Sequence, residues 1–295
     1  MKVGFIGLGI MGKPMAKNLL NAGVELLVAD LNKEAVADVV AAGATEATYA
    51  AIGSQCERII LMVPSGAISK SILFGEGGVA ATVKEGAVVC DMSSVTPEES
   101  KECYDKLKAR GAGFVDAPVS GGEPGAINGS LAIMAGGDQK DFNAMTHYFD
   151  ILGSSALLIG ESGSGSAAKL ANQMIVNNTI AVVSEAFVFA TKAGADPAKV
   201  YEAIRGGLAG SAVLDAKLPM IINRNFKPGG TIRINHKDIK NVVNTAHSLD
   251  VPIPYTAQLY EILQTLKIHG YMEDDHGGIV QYFEKLSGIE VKKFD

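Results

Sequence analysis

The segment Lys2–Gly12, Lys-Val-Gly-Phe-Ile-Gly-Leu-Gly-Ile-Met-Gly, passes from a short apolar run into a helical one through Gly7, Gly9 and Gly12. Few patterns restrict a chain more. With this spacing the first glycine permits a tight turn, the second lets backbone approach a pyrophosphate, and the third lets helix pack closely on strand. The helix that follows points amide donors and the positive end of its dipole at whatever the turn holds. In a chain with 34 glycines among 295 residues the pattern alone could be a simple turn. Here Asp30 ends the next apolar run, 18 residues after Gly12, where a carboxylate accepts hydrogen bonds from the ribose of a dinucleotide. The combination predicts a dinucleotide site formed by Gly7, Leu8, Gly9, Ile10, Met11, Gly12 and Asp30.

The rest of the first half fits such a site. Apolar runs at Val3–Ile6, Leu26–Ala29, Ile59–Val63, Ala87–Asp91, Gly113–Asp116 and Ala132–Ala135 alternate with helical stretches at Gly12–Ala22, Lys33–Ala42, Pro97–Arg110 and Asp138–Leu152. Strands that are apolar on both faces and separated by helices imply a parallel sheet with right-handed crossovers. This predicts an α/β, doubly wound Rossmann domain over residues 1–162. Beyond Gly160–Ser166 the texture changes, and Ala167–Ala193 has neither Gly nor Pro. It reads as one long helix, apolar around most of its circumference. Helical segments follow at Pro197–Arg205, Ser211–Asn223, Lys237–Leu249, Pro254–His269 and Gly278–Leu286. Residues 163–295 are therefore expected to form an all-α domain carried by the long helix, which is apolar on enough faces to meet a partner subunit in a homodimer or homotetramer.

Composition removes other classes. The formal net charge of −6 argues against nucleic acid as a partner. No uninterrupted apolar run reaches 18 residues and no basic leader opens the chain, so neither a membrane span nor a secretory signal is expected. Three cysteines, Cys56, Cys90 and Cys103, lack metal-ligand spacing and suit a reduced, cytoplasmic protein. The five histidines do not pair as ligands either, so no metal site is expected.

Three further features bear on chemistry. Asp30 would repel a 2′-phosphate, and Leu31 and Asn32 supply no arginine to hold one, which favours NAD(H) over NADP(H); Lys33 is a partial counterweight. The turn Ser120-Gly121-Gly122, after Asp116-Ala-Pro-Val, offers a hydroxyl and unhindered amides to an anion, although by itself it is also an ordinary loop. Lys169, Asn172 and Gln173 lie at i, i+3 and i+4 near the start of the long helix and so share a face. A helix lysine is normally solvated, but one desolvated among apolar residues exchanges its proton near neutrality.

In order and spacing, Gly7–Gly12, Asp116–Gly122 and Gly163–Gln173 resemble the β-hydroxyacid dehydrogenase family, and the likeness runs along essentially the whole chain. The resemblance implies reversible NAD(P)-linked oxidation of a short 3-hydroxy acid. It places the catalytic lysine at Lys169, the carboxylate-binding turn at Ser120, Gly121 and Gly122, and the helix-face amides at Asn172 and Gln173. It adds cofactor contacts at Val63, Pro64, Ser94 and Lys237. Within the family, Gly206–Lys217 and Asn223–Gly229 most resemble members that reduce 2-hydroxy-3-oxopropionate (tartronate semialdehyde) to glycerate. The family often has asparagine where this chain has Gln173, and Gly230–Asn235 departs from the texture of those reductases. The alternatives keep the chemistry and change the acid, to 3-hydroxyisobutyrate or 2-(hydroxymethyl)glutarate. A more distant one is a non-catalytic dinucleotide-binding module, which the retained Lys169 opposes.

Overall fold

A computed structural model describes residues 2–294, and the chain divides into two compact units, Met1–Leu170 and Ala171–Asp295. In the first unit the elements run β1 (Lys2–Ile6), α1 (Gly12–Asn21), β2 (Glu25–Ala29), α2 (Lys33–Ala41), β3 (Thr45–Glu46), α3 (Tyr49–Gln55), β4 (Arg58–Leu61), α4 (Gly66–Phe74), β5 (Val88–Asp91), α5 (Pro97–Lys108), β6 (Gly113–Asp116), β7 (Val119–Ser120), α6 (Gly122–Asn128), β8 (Leu131–Gly137), α7 (Gln139–Leu152) and β9 (Gly153–Gly160). The sheet order is β3-β2-β1-β4-β5-β6-β8-β7, with β9 on β8. Strand order reverses between β1 and β4, so the loops after these two strands part to opposite faces and leave a crevice at their carboxyl ends.

The strands bury both faces. Met15, Leu19, Met145 and Phe149 cover one side, and Ile52, Leu73, Cys103 and Leu107 the other. That two-sided cover is why the strands read as apolar runs without alternation. The sheet is dominated by parallel pairs but is not wholly parallel: β8 runs antiparallel to β6 and β7, and β9 follows β8. The sequence reading passed over β3, α3, α4, β7, α6 and β9. Two of these strands have only two residues, and β9 has no buried position to give it an apolar face, so periodicity has little to register. Helices α3 and α4 are held by Thr48 and Ser65, whose hydroxyls accept from Ala51 N and Ile68 N.

Helix α8 (Ser164–Lys192) runs from the first unit into the second. It begins three residues earlier than the apolar pattern suggests, for a reason that lies in the site described below. By length and composition it would also suit a membrane crossing, yet it buries Lys169, Gln173, Asn177, Ser184 and Thr191 as a core helix does. The second unit continues with α9 (Pro197–Ile204), α10 (Ala212–Ile222), α11 (Ile232–Ser248), α12 (Pro254–Ile268) and α13 (Val280–Ser287). Ile180, Ile239, Leu259 and Leu263 form one core, and Phe187, Leu218, Ile221 and Val280 a second. Helix α11 starts at Ile232 rather than Lys237, because the Thr231 hydroxyl accepts from Ile234 N and caps it. Lys237 therefore lies inside the helix.

Candidate active site

The loops after β1, β2, β4 and β5 leave the sheet at one edge, since these strands are parallel. After β1, Gly7 takes φ +97°, and a Cβ there would stand 2.3 Å from the Met62 carbonyl oxygen. A Cβ on Gly12 would stand 2.0 Å from the carbonyl oxygen of Gly7, so α1 meets the strand end with no room for a side chain. Gly9 differs, having nothing within 4 Å of its Cβ position. The turn is thus closed toward protein at Gly7 and Gly12 and open outward at Gly9. Helix α1 begins after Met11, which places no side-chain acceptor on the first-turn amides, and no acidic residue stands in that turn. Open backbone and uncapped donors fit a pyrophosphate.

Asp30, at the end of β2, is locked in place. One carboxylate oxygen accepts from Leu8 N at 2.5 Å and the other from Asn32 N at 2.7 Å. The aspartate therefore ties the glycine turn to the second strand. Lys33, the nearest following cation, is paired with Glu46 at 2.6 Å.

After β5, Asp91 accepts from Ser93 N at 2.9 Å, and the Ser93 hydroxyl accepts from Val63 N at 2.9 Å. This chain joins the loop carrying Val63 and Pro64 to the one carrying Ser94. Asp91 and Ser93 are buried, and burial pushes the Asp91 carboxyl above its ordinary range, partly offset by its hydrogen bonds to Ser93.

Asp116, at the end of β6, does related work on α8. Its carboxylate accepts from Gly163 N at 2.7 Å, Ser166 N at 2.9 Å and the Ser162 hydroxyl at 3.4 Å. These donors would otherwise be orphans at the helix start. A Cβ on Gly165 would meet the carbonyl oxygens of Met134 and Asp116 at 2.4 and 2.5 Å. The Gly163–Gly165 segment is accordingly a close docking of helix start on sheet edge, which is why α8 begins at Ser164. Asp116 is completely buried, and that burial pushes its carboxyl up to about 6 against the pull of the amides.

Two expected site groups flank this anchor in sequence. Ser120 ends β7, and Gly121 and Gly122 follow with φ +141° and +61°, after which α6 opens at Gly122. Lys169 stands on the second turn of α8, only 8% exposed. This is not the burial of a solvated helix lysine.

In the second unit, Gln173 donates from Nε2 to the Asp238 carboxylate at 2.6 Å, and its Oε1 accepts from Asn172 Nδ2 at 3.0 Å. The other Asp238 oxygen lies 2.7 Å from Lys237 Nζ. Asn172, Gln173, Asp238 and Lys237 therefore form one connected chain. Asp275, fully buried, accepts from Lys217 at 2.8 Å, Gly277 N at 2.9 Å and Gly229 N at 3.0 Å, so it fixes the segment leading to the Thr231 cap. Burial raises its carboxyl, but the Lys217 ammonium and the Gly277 amide outweigh this and hold it below the ordinary range. His236 stacks on Tyr260 at 5.1 Å and bonds Gln264, which explains it by packing. Among the described residues no three of His, Cys, Asp and Glu group as metal ligands.

Sequence reasoning did not single out Asp91, Ser93 or Asp238 as site-building residues. A signal was present for two of the positioning carboxylates: β5 and β6 are apolar runs that each end in aspartate, Asp91 and Asp116. An acid at the end of a buried strand serves the unpaired amides of the next loop.

Known proteins match along the same lines. Residues 2–160 match the NAD binding domain of 6-phosphogluconate dehydrogenase, and residues 163–283 the NAD-binding domain of NADP-dependent 3-hydroxyisobutyrate dehydrogenase. The chain is 40% identical to 2-hydroxy-3-oxopropionate reductase of Escherichia coli (strain K12), over 97% of this chain and 98% of that one. The chain belongs to the β-hydroxyacid dehydrogenase family. Family membership makes it an NAD(P)-dependent oxidoreductase acting on CH–OH groups. Another family member, 2-(hydroxymethyl)glutarate dehydrogenase of Eubacterium barkeri, is 33% identical over 99% of this chain and 97% of its own. A crystal structure of 3-hydroxyisobutyrate dehydrogenase from Salmonella typhimurium superposes with a TM-score of 0.86 at 27% identity, covering 96% of this chain and all of that one. The family thus spans several short hydroxy acids on one architecture.

Proposed function

We propose that this protein is an NADH-linked reductase of a short semialdehyde, converting 2-hydroxy-3-oxopropionate to glycerate reversibly. The observation that carries the chemistry is Lys169, a buried lysine on a helix whose first turn is anchored by a buried aspartate. The choice of acid follows the 40% identity to a reductase of that substrate.

The residues divide the work. Gly7–Gly12 and the uncapped start of α1 hold the pyrophosphate, Asp30 takes the adenosine ribose, and Val63, Pro64, Ser94 and Lys237 complete the cofactor contacts. The bound nicotinamide supplies a hydride to the aldehyde carbon, or accepts one from the alcohol carbon in reverse. Lys169 as ammonium gives a proton from Nζ to the oxygen that becomes the hydroxyl, and as neutral amine takes it back in oxidation. The Ser120 hydroxyl and the amides of Gly121 and Gly122 bind the substrate carboxylate, and Asn172 faces its hydroxyl. Asp30, held rigid with Lys33 engaged by Glu46, supports NAD(H) rather than NADP(H).

We also propose a homodimer or homotetramer built on α8, where Ile175, Val182 and Phe189 recur every seven residues at 68%, 63% and 74% exposure. Three buried free thiols suit a reducing, cytoplasmic setting. A panel assay tests the substrate: NADH oxidation with 2-hydroxy-3-oxopropionate, succinic semialdehyde and methylmalonate semialdehyde, and NAD reduction with the corresponding acids. The highest kcat/KM belongs to 2-hydroxy-3-oxopropionate; a higher value with another aldehyde replaces the substrate.

A further inference from the structure

We infer that Ser100 is a positioning residue for the reaction: through the buried hydroxyl of Ser166 it fixes the rotation of the first turn of α8, and so the placement of Lys169. The inference rests on the reading of Lys169 as general acid and base and deepens it.

Ser100 and Ser166 are 1% and 0% exposed, and their hydroxyl oxygens lie 2.8 Å apart. Both stand in the first unit, as does Lys169. The direction of the bond follows from its surroundings. Ser100 has one hydroxyl proton, which goes to the Thr96 carbonyl oxygen at 3.3 Å; Ser166 is therefore the donor between the two. This bond adds what Asp116 does not supply. The Asp116 carboxylate takes the backbone amides of Gly163 and Ser166, which point along the helix axis, so it holds the helix end but constrains rotation about that axis weakly. The Ser166 hydroxyl projects sideways, and holding it sets the rotation. Lys169 follows three residues later on the same face and turns with it. On a helix of about 5–6 Å radius, a rotation of about 20° carries the end of a side chain about 2 Å sideways. A displacement of about 1 Å at a reacting group costs on the order of a hundredfold in rate.

Ser100 is the fixed side of the bond because α5 is closed at its start by a capping box. Thr96 Oγ1 accepts from Glu99 N, and Glu99 Oε2 accepts from Thr96 N. Just before that box come Ser93, whose hydroxyl accepts from Val63 N, and Ser94. The first turn of α5 is thus joined to the loops assigned to the cofactor. It also lies against the segment that opens α8: a Cβ on Gly163, at φ +91°, would stand 3.0 Å from the Pro97 carbonyl oxygen. The hydroxyl pair therefore ties the helix that carries the lysine to the element that follows the cofactor loop, at one buried point.

The test is single-turnover oxidation of NADH at saturating 2-hydroxy-3-oxopropionate, or the panel aldehyde that replaces it, in Ser100→Ala, Ser166→Ala and the double variant. Each alanine lowers the rate about tenfold or more, while the Kd for NADH and the KM for the aldehyde stay within about twofold. The double variant is no slower than the slower single one, because either change removes the same bond. The solvent deuterium isotope effect rises in all three, since the step made slow is proton transfer from Lys169. A merely structural loss lowers Tm and leaves that isotope effect where it was. Either single variant suffices if the other fails to fold. A rate within about twofold of wild type, additive losses, a loss confined to KM or an unchanged isotope effect overturns the inference. Lys169→Ala separates the two readings. Rate retained there removes the general-acid role and this inference with it; rate lost there but retained in the serine variants overturns only the tie through Ser100.

Discussion

Asp116 carries a cost that can be measured. It is a fully buried carboxylate that accepts from two backbone amides and a serine hydroxyl. Burial outweighs those bonds and raises its carboxyl from 3.8 to about 6. A folded-state value above the unfolded one means that the native protein binds the proton more tightly. Well below pH 3.8 both states are protonated and nothing is lost; as pH rises through 3.8 toward 6 the unfolded chain ionises first, and stability falls. The size of the displacement corresponds to about 3 kcal/mol, fully lost above pH 6. Asp116→Asn keeps the shape and removes the titration. Its stability relative to wild type should therefore improve by about 3 kcal/mol between about pH 4 and pH 7, read as a shift in the Tm difference across that range. Activity should move the other way. The asparagine amide can accept from one helix amide but presents N–H to the other, so the start of α8 shifts and Lys169 with it, and kcat drops. A Tm difference that stays constant from pH 4 to pH 7 would refute the account of Asp116 as a carboxylate retained against its own desolvation.

Other outcomes follow from the remaining residues. Lys169→Ala should lower kcat by on the order of 10²–10⁴ at saturating aldehyde with NADH binding nearly unchanged, and Lys169→Arg should rescue little, since guanidinium holds its proton too tightly; a kcat within about threefold of wild type for Lys169→Ala would sink the general-acid role. Asp30→Ser combined with Leu31→Arg should move the kcat/KM preference from NADH toward NADPH, and a wild-type enzyme already faster with NADPH contradicts the part given to Asp30. Replacing Ile175, Val182 and Phe189 together by lysine should dissociate the oligomer with the fold retained; wild-type mass equal to one chain by light scattering at micromolar concentration removes that proposal.

Much of this molecule is legible in one dimension. Where a strand is covered on both faces, as at Val3–Ile6 or Val88–Asp91, its apolar run announces it, and where helix follows strand through Gly7, Gly9 and Gly12 the spacing alone specifies the turn. These features are local: each depends on residues within about one element of each other, so periodicity and spacing record them. Two-residue strands such as β3 and β7 have no period to record. Nor does sequence show which acid meets which amide. Asp116 reaches Gly163 and Ser166 from 47 and 50 residues away, and Asp238 reaches Gln173 from 65. The types needed, an acid and an amide or a glycine, are common everywhere in the chain, and only folding brings a particular pair to 2.6 or 2.7 Å out of water. Burial of Lys169 is of the same kind. The sequence determined that a lysine stands near the start of an apolar helix; its exclusion from solvent was decided by the packing around that helix, because burial belongs to neighbours brought in from elsewhere in the chain and not to the residue itself.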